Sequence, residues 1–174
     1  MIWPLLFVGL SLLLLVLAWP TLRTPSPRGV TRFLVFEAVL GLVVLGAPSW
    51  FLDAFSWRQI LSWVLLTASL ALAIDAFVML HRFGAPQAGI ETTQQLVERG
   101  VYRWIRHPLY FSLFLFGAGA WLKHADGWGA LILLALAGLV AATGRIEEAE
   151  NLWRFGEAYR TYMSRTCRFI PWIY

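Results

Sequence analysis

Residues 108–143 read PLYFSLFLFGAGAWLKHADGWGALILLALAGLVAAT, and their pattern is the strongest indication of the fold. Two apolar runs, at about 108–122 and 128–143, are joined by the five-residue link 123–127 (KHADG). A link this short connects antiparallel neighbours, so the stretch predicts a helical hairpin whose outer ends meet at one face. A helix that spans a bilayer needs about 20 residues. Both helices of this hairpin are therefore predicted to be short.

The rest of the sequence is also strongly apolar. Hydrophobic residues make up 59% of the 174 residues, charged residues only 14%, and the mean hydropathy is +0.66. A soluble domain usually carries about 25% charged residues, so lipid is the expected solvent. Three further apolar stretches lie at about 2–19, 33–52 and 57–81. We therefore predict an all-α integral membrane protein, a single domain over 1–174 with about five transmembrane helices.

The basic residues are concentrated in three segments, which orients the predicted bundle. The net charge is +4, the pI is about 9.7, and Lys123 is the only lysine among 14 basic residues. Twelve of the 14 lie within residues 23–32, 82–106 or 145–168. Because cytoplasmic loops are enriched in Lys and Arg, we expect the N-terminus outside and the C-terminus in the cytoplasm. Topology explains the basic charge, so no nucleic-acid partner is expected.

Both ends of the sequence are predicted to be helical. No basic segment precedes the first apolar stretch, so we expect a retained helix rather than a cleaved signal peptide. Near the other end, residues 145–164 are typical of an amphipathic helix. Leu152, Phe155, Tyr159 and Tyr162 recur there every three or four residues, with Glu and Arg between them. This C-terminal amphipathic helix completes the predicted fold.

Two polar clusters flank the hairpin, one before it and one after it. The first is residues 100–110, GVYRWIRHPLY, and the second starts at residues 145–148, RIEE. The hairpin returns its two ends to the same face of the membrane. Clusters that are distant in sequence are therefore expected to lie close together in space.

The chemistry of these clusters favours a ligand that carries both signs of charge. Arg106 and His107 supply hydrogen-bond donors, and the start of the helix at Pro108 favours an anion. Glu147 and Glu148 are costly at the end of an apolar helix unless they meet cations or water. A ligand with a carboxylate and positive centres, such as S-adenosylmethionine, would satisfy both clusters.

The same residues resemble the motifs of a known family. The run 96–110, LVERGVYRWIRHPLY, is similar to the signature of the isoprenylcysteine carboxyl methyltransferases, which the related phospholipid N-methyltransferases share. The pair Glu147-Glu148, followed by FGxxYxxY at 155–162, resembles the second motif, and 82–86 (RFGAP) resembles the lead-in of bacterial members. The resemblance covers roughly half of the chain. It implies an S-adenosylmethionine-dependent methyltransferase of the bacterial inner membrane.

The resemblance also implies site residues. It places a cofactor-binding core in 82–174, after three N-terminal transmembrane helices in 1–81. The implied cofactor-binding residues are Gln87, Gln94, Gln95, Leu96, Val97, Tyr102, His107, Pro108, Leu109, Tyr110, Glu147 and Glu148. Arg106, Arg145 and Glu148 are the implied catalytic residues, with the arginines orienting the acceptor. Ser112 departs from the family pattern, in which glycine is usual, and 117–119 (GAG) resembles a Gly-x-Gly motif.

The sequence leaves the acceptor and two alternative functions open. The acceptor is expected to be a lipophilic small molecule or a lipid, attacking through O, N or S. An NADPH-dependent membrane reductase of the sterol-reductase type and a non-enzymatic membrane subunit are the alternatives. Three histidines and Cys167 show no metal-ligand spacing, so no metal is expected. Glu37 and Asp75 lie inside apolar runs and are either functional or structurally paired.

Overall fold

A computed structural model describes residues 2–23, 26–85 and 93–170 of the protein. Within these ranges the chain forms six α-helices and two short 3-10 turns. The helices are α1 (Ile2–Arg23), α2 (Pro27–Gly46), α3 (Trp57–Phe83), α4 (Pro108–Leu122), α5 (Gly127–Phe155) and α6 (Glu157–Arg165). The 3-10 turns are Ala47–Ser49 and Gly100–Arg103. The prediction of an all-α fold is confirmed.

The second helix begins earlier than its hydropathy predicted. Ser26 caps α2 by accepting a hydrogen bond from the backbone N–H of Gly29 at 3.0 Å, and Pro27 occupies the first turn. The predicted start near residue 33 was therefore wrong, because capping, not hydropathy, sets the boundary. As a consequence Arg28 and Arg32 lie on the first turns of α2 and not in a loop.

The fifth helix is longer than predicted. α5 continues without a break through the polar segment 145–150 and ends only at Phe155. The predicted short fifth helix and the predicted separate tail helix from residue 145 were therefore wrong. Arg, Glu, Ala and Leu are good helix formers, so polarity alone does not end a helix. The break comes at Gly156, whose φ of +56° suits glycine, and only the short α6 follows it.

Among the described residues, four helices are long and apolar enough to cross a membrane: α1, α2 with the following 3-10 turn, α3 and α5. α4 has 15 residues, so the prediction of a short fourth helix is confirmed. α1 packs against α2, and no residue in its described length is buried. Its apolar side chains are therefore available to lipid. These features make the protein an integral membrane protein.

Close packing of α4 against α3 and α5 depends on the small residues of the GAG segment. A Cβ atom at Gly119 would lie 2.9 Å from Leu66 Cγ and 3.1 Å from the backbone oxygen of Ser62. The Ser62 hydroxyl donates a hydrogen bond of 2.7 Å to the Gly119 carbonyl. A Cβ at Gly117 would overlap Leu136. The segment therefore contributes to helix packing.

The two ends of the bundle differ in charge. At one end, Arg28 of α2 pairs with Glu150 of α5 at 2.5 Å, close to the first polar cluster. At the other end, Lys123 donates to Gln59 at 2.8 Å and lies 3.8 Å from the ring centroid of Trp63. The start of α2, the start of α4 and the polar part of α5 therefore share the arginine-rich end.

Replacing Gly119 with leucine tests this packing. We expect Gly119→Leu to lower the free energy of unfolding by about 1–3 kcal/mol, because the added atoms overlap α3. Gly138→Leu is the matched control, since Gly138 is exposed and a Cβ there meets nothing within 4 Å. Thermal unfolding in detergent measures both variants. Equal melting temperatures for the two would contradict the packing described.

Candidate functional site

The RHP motif, Arg106-His107-Pro108, is held in place by the segment that follows α6. Residues 104–107 run parallel to residues 167–168, with an isolated bridge between Ile105 and Cys167. The backbone N–H of Arg106 donates to the Cys167 carbonyl at 2.9 Å, and that of His107 donates to the Arg168 carbonyl at 3.1 Å. Cys167 therefore has a structural role, through its backbone hydrogen bonds. These hydrogen bonds hold the backbone of the motif independently of its side chains.

The carboxylate of Glu148 is clamped between two arginines. Arg106 Nε donates to Glu148 at 2.7 Å, and Arg168 Nη2 donates to its second oxygen at 2.6 Å. The Glu148 side chain is 6% exposed, so the charge is tolerated only because both oxygens are paired. Arg106 also donates to the carbonyls of Met163 and Thr166. One ion cluster therefore joins the RHP motif, α5 and the end of α6.

His107 lies between the two glutamates of α5. Its Nδ1 atom is 3.7 Å from Glu147 and its Nε2 atom is 3.5 Å from Glu148. Burial by itself lowers the pKa of His107, but the two carboxylates outweigh burial and raise the pKa above the ordinary 6.5. Nε2 is buried and has no hydrogen-bond partner within the described residues. The imidazole is therefore favoured in its charged form.

A cavity of about 330 Å³ opens beside His107. Its walls come from α2, α3, α4, α5 and α6, from residues 93–97 and from the 3-10 turn at 100–103. This volume lies in the usual range for small-molecule sites. Burial raises the pKa of Tyr159 to about 12 and keeps the phenols of Tyr102 and Tyr162 protonated as well, since their pKa values are also raised. The wall combines aromatic rings, ion pairs and neutral phenols.

The predicted site residues divide into those that line the cavity and those that do not. The lining residues are Gln95, Leu96, Val97, Tyr102, Arg106, His107, Leu109, Tyr110 and Glu147. Pro108 and Glu148 are buried behind this wall, whereas Gln94 and Arg145 are exposed and outside it. Gln87 lies outside the described residues. Of the two glutamates, Glu147 lines the cavity and Glu148 belongs to the arginine clamp.

Sequence reasoning missed the contribution of α2. Arg28, Arg32 and Phe36 all line the cavity, yet the arginines were assigned to topology alone. Their spacing of four residues places them on one face of a helix, and this was the available signal. It was hidden because α2 was expected to begin after Arg32. The cavity also includes Asn151 and Arg154 on the last turns of α5.

The two acids found inside apolar runs are both partnered. The carboxylate of Asp75, on α3, accepts a hydrogen bond of 2.9 Å from the backbone N–H of Val101, which fixes the 3-10 turn. The Tyr162 hydroxyl holds the same turn by donating to the Tyr102 carbonyl at 2.7 Å. Glu37 accepts a hydrogen bond of 2.7 Å from Ser11, which joins α1 to α2. Asp75 therefore supports the wall that carries Tyr102.

These observations define a class of protein: a helical integral membrane protein with a charged, aromatic cavity at one end of its bundle. Comparison with known proteins identifies the family within this class. The family model of the phospholipid methyltransferases matches residues 57–155, more than half of the chain. The chain therefore belongs to the phospholipid methyltransferase family, and the resemblance noted in the motifs is confirmed.

One curated relative is similar along almost the whole chain. Methanethiol S-methyltransferase 1 of Bradyrhizobium diazoefficiens (strain JCM 10833 / BCRC 13528 / IAM 13628 / NBRC 14792 / USDA 110) is 25% identical over 169 residues. The match covers 96% of this chain and 53% of that protein. The chain thus spans about half the length of this relative.

Loss of the Glu148 charge should destabilise the protein more than loss of a surface charge. We expect Glu148→Gln to lower the free energy of unfolding by about 3 kcal/mol or more, because two arginines lose their partner. The control Glu157→Gln breaks an exposed pair with Arg160 and should cost less than about 1 kcal/mol. Thermal unfolding of both variants measures the difference. Similar losses in the two variants would be inconsistent with a clamp.

The raised pKa of His107 predicts a dependence of stability on pH. The contribution of charged His107 is complete below its unfolded pKa of about 6.5 and is lost as pH rises through the higher native pKa. The melting temperature of the wild type should therefore fall above pH 6.5 by more than that of His107→Gln. Melting curves from pH 6 to 9 test this. A wild type that gains stability over this range relative to the variant would contradict it.

Proposed function

We propose that this protein transfers a methyl group from S-adenosylmethionine to a lipophilic small molecule or lipid, within the cavity described above. The observation that carries the proposal is the convergence of His107 and Glu147, 40 residues apart, on one cavity. Family membership and the methyltransferase relative support the reaction class. We propose that residues 82–174 form the cofactor-binding core. Helices α2 and α3 complete the wall of the cavity.

The cavity residues fit the charges of the proposed cofactor. The carboxylate of Glu147 would hold the ammonium group, and the start of α4 at Leu109 and Tyr110 would face the carboxylate. The apolar side chains of Leu96 and Val97 would contact the adenine. When bound, the cofactor supplies an electrophilic methyl group on a positive sulfur. His107 lines the same cavity and contributes a polar ring to its wall.

The protein needs to position the reactants more than to activate them. Methyl transfer is an in-line displacement, so the rate depends on holding the acceptor in line and excluding water. Arg106 lines the cavity, and we propose that it helps to orient the acceptor. Glu148 acts through Arg106 and His107 as a positioning residue. Arg145 is exposed outside the cavity, so its proposed role rests on the family resemblance alone.

The acceptor is proposed to enter from the bilayer. Phe36 lines the cavity and is 41% exposed on the surface of α2, so the wall is continuous with the lipid-facing surface. The family name points to phospholipid acceptors, and the relative's name points to a thiol. We propose that the arginine-rich end faces the cytoplasm at the bacterial inner membrane, with the N-terminus outside.

Binding of S-adenosylmethionine to purified protein tests this function. We expect calorimetry to show binding to the wild type and about tenfold weaker binding to Glu147→Gln, which loses a charge-assisted hydrogen bond. Glu157→Gln, with the same change on the exposed surface, should bind like the wild type.

Two further measurements separate the alternatives. NADPH should not compete with S-adenosylmethionine, which distinguishes the methyltransferase from a reductase. Incubation with a labelled methyl donor and a membrane lipid extract should transfer label to an extractable product. A folded, detergent-stable wild type that fails to bind S-adenosylmethionine would contradict the proposal.

A further inference from the structure

A second cavity lies between α3 and α4. Its volume is about 430 Å³, and it is lined by one face of each of these helices and by Trp50. Leu70 of α3 is 60% exposed and Trp63 is 42% exposed, so the cavity is a groove that opens sideways to the bilayer. A molecule dissolved in the membrane can therefore enter it.

The groove is continuous with the cavity at the arginine-rich end. Ala73 of α3 and Ser112 and Leu113 of α4 line both spaces. From these shared residues the groove runs along α3 as far as Trp63. A molecule whose reacting group lies beside His107 can therefore place the rest of its length in the groove.

The groove presents an apolar surface, although three of its lining residues carry hydroxyl groups. The Ser69 hydroxyl donates to the Ser112 carbonyl at 2.7 Å, and the Ser112 hydroxyl donates to the Leu109 carbonyl at 2.7 Å. The Thr67 hydroxyl donates to the Trp63 carbonyl. Because each hydroxyl is bonded to a helix carbonyl, the surface left for a ligand is mainly hydrocarbon. The groove therefore suits an apolar chain.

Two tryptophans form the far end of the groove. Trp50 packs edge-on against Trp63 with the ring centroids 6.2 Å apart, and the Lys123 ammonium lies 3.8 Å from the Trp63 centroid. Lys123 is 5% exposed and donates to Gln59 at 2.8 Å, so the cation is fixed beside the ring. Ala73 lies ten positions after Trp63, which is about 15 Å along α3. Because three bonds of an extended chain span about 3.8 Å, this length suits a chain of roughly twelve carbons.

We propose that the groove between α3 and α4 binds the apolar chain of the methyl acceptor, and that the pair Trp50 and Trp63 sets the chain length that the groove holds. The inference rests on the proposed function for the reaction at the head group, but the position of the chain can be measured without it. In a bilayer the groove gains little from the hydrophobic effect, because lipid tails are as apolar as its walls. Its contribution is to hold the chain along α3, which fixes the direction from which the head group enters the cavity.

Photolabelling locates the chain without any methyl transfer. The two probes are dodecane-1-thiol with a diazirine at the far end of the chain and a phosphatidylcholine with a diazirine at the end of one tail. Each is irradiated with the protein in phosphatidylcholine vesicles, and mass spectrometry locates the labelled residues. Leu134 of α5 is 70% exposed and lines neither cavity, so it reports labelling from bulk lipid. Relative to Leu134, the thiol probe should label Trp63 and Leu66 about tenfold more than the phospholipid probe does.

The labelling pattern has three other outcomes. Equal patterns for the two probes would make bilayer lipid the occupant of the groove and would overturn the proposal. Thiol-probe label beside Phe36 of α2, with none on α3, would place the chain at the other opening of the cavity and would also overturn it. Label in the groove of a protein that does not bind S-adenosylmethionine would support the chain site, while the proposed function would fail.

The length of the acceptor gives a second readout. Leu70→Trp fills the middle of the groove, and Leu134→Trp is the matched control, because it adds the same ring at an exposed leucine outside both cavities. Butane-1-thiol and dodecane-1-thiol are supplied with a labelled methyl donor, and their concentrations are expressed as mole fractions in the vesicles. The ratio of kcat/KM for the longer thiol to that for the shorter thiol should fall about tenfold in Leu70→Trp and stay within about twofold of the wild type in Leu134→Trp. An unchanged ratio in a Leu70→Trp protein that melts like the wild type would overturn the proposal.

A longer chain tests the end of the groove. In the wild type, hexadecane-1-thiol should show no higher kcat/KM than dodecane-1-thiol, because the added carbons meet the tryptophan pair. Trp63→Leu opens this end and should raise the ratio of the longer to the shorter thiol about threefold. Trp128→Leu, at a tryptophan of α5 that is 75% exposed and lines neither cavity, should leave the ratio unchanged. A wild type that prefers the longer thiol, or equal ratios in the two variants, would overturn the length limit.

Discussion

The ion cluster around Glu148 is the interaction on which the rest of the site depends. Its carboxylate joins Arg106 of the RHP motif to Arg168 of the segment after α6. An unpaired charge at this depth would cost several kcal/mol, so the three segments are held together as a unit. Adjacent residues on a helix point about 100° apart, so turning Glu148 into the clamp turns Glu147 towards the cavity. His107 is then fixed between the two carboxylates.

The two glutamates therefore lie in different surroundings, Glu148 in the ion cluster and Glu147 at the cavity. The clamp pairs both oxygens of Glu148, whereas Glu147 lines the cavity, where we propose that it meets the ligand. The second support of the cavity is local to the 3-10 turn, where Asp75 and Tyr162 fix the backbone around Tyr102. At the arginine-rich end, the carboxylates of Asp75 and Glu148, which lipid would penalise, are therefore paired with other groups of the chain.

Much of the fold could be predicted from the sequence, because its signals are local. The hairpin follows from two apolar runs and a short link, and the resemblance at 96–110 identified most of one cavity wall. Helix ends were less predictable, since the cap at Ser26 and the continuation of α5 through 145–150 run against the hydropathy pattern. The pairing of Arg28 with Glu150 was not predictable, because the contact spans 122 residues. The sequence also could not show that Glu147, and not Glu148, lines the cavity. That outcome depends on the contact of Glu148 with Arg168, which has no signal in the sequence.

We propose that two motifs distant in sequence enclose one binding site for the methyl donor. The most direct test is an experimental structure of the protein with S-adenosylhomocysteine, the product of the proposed donor. We expect the product between residues 95–107 and α5, with its ammonium group within hydrogen-bond distance of Glu147. Density for the product elsewhere on the protein, with this cavity empty, would contradict the account.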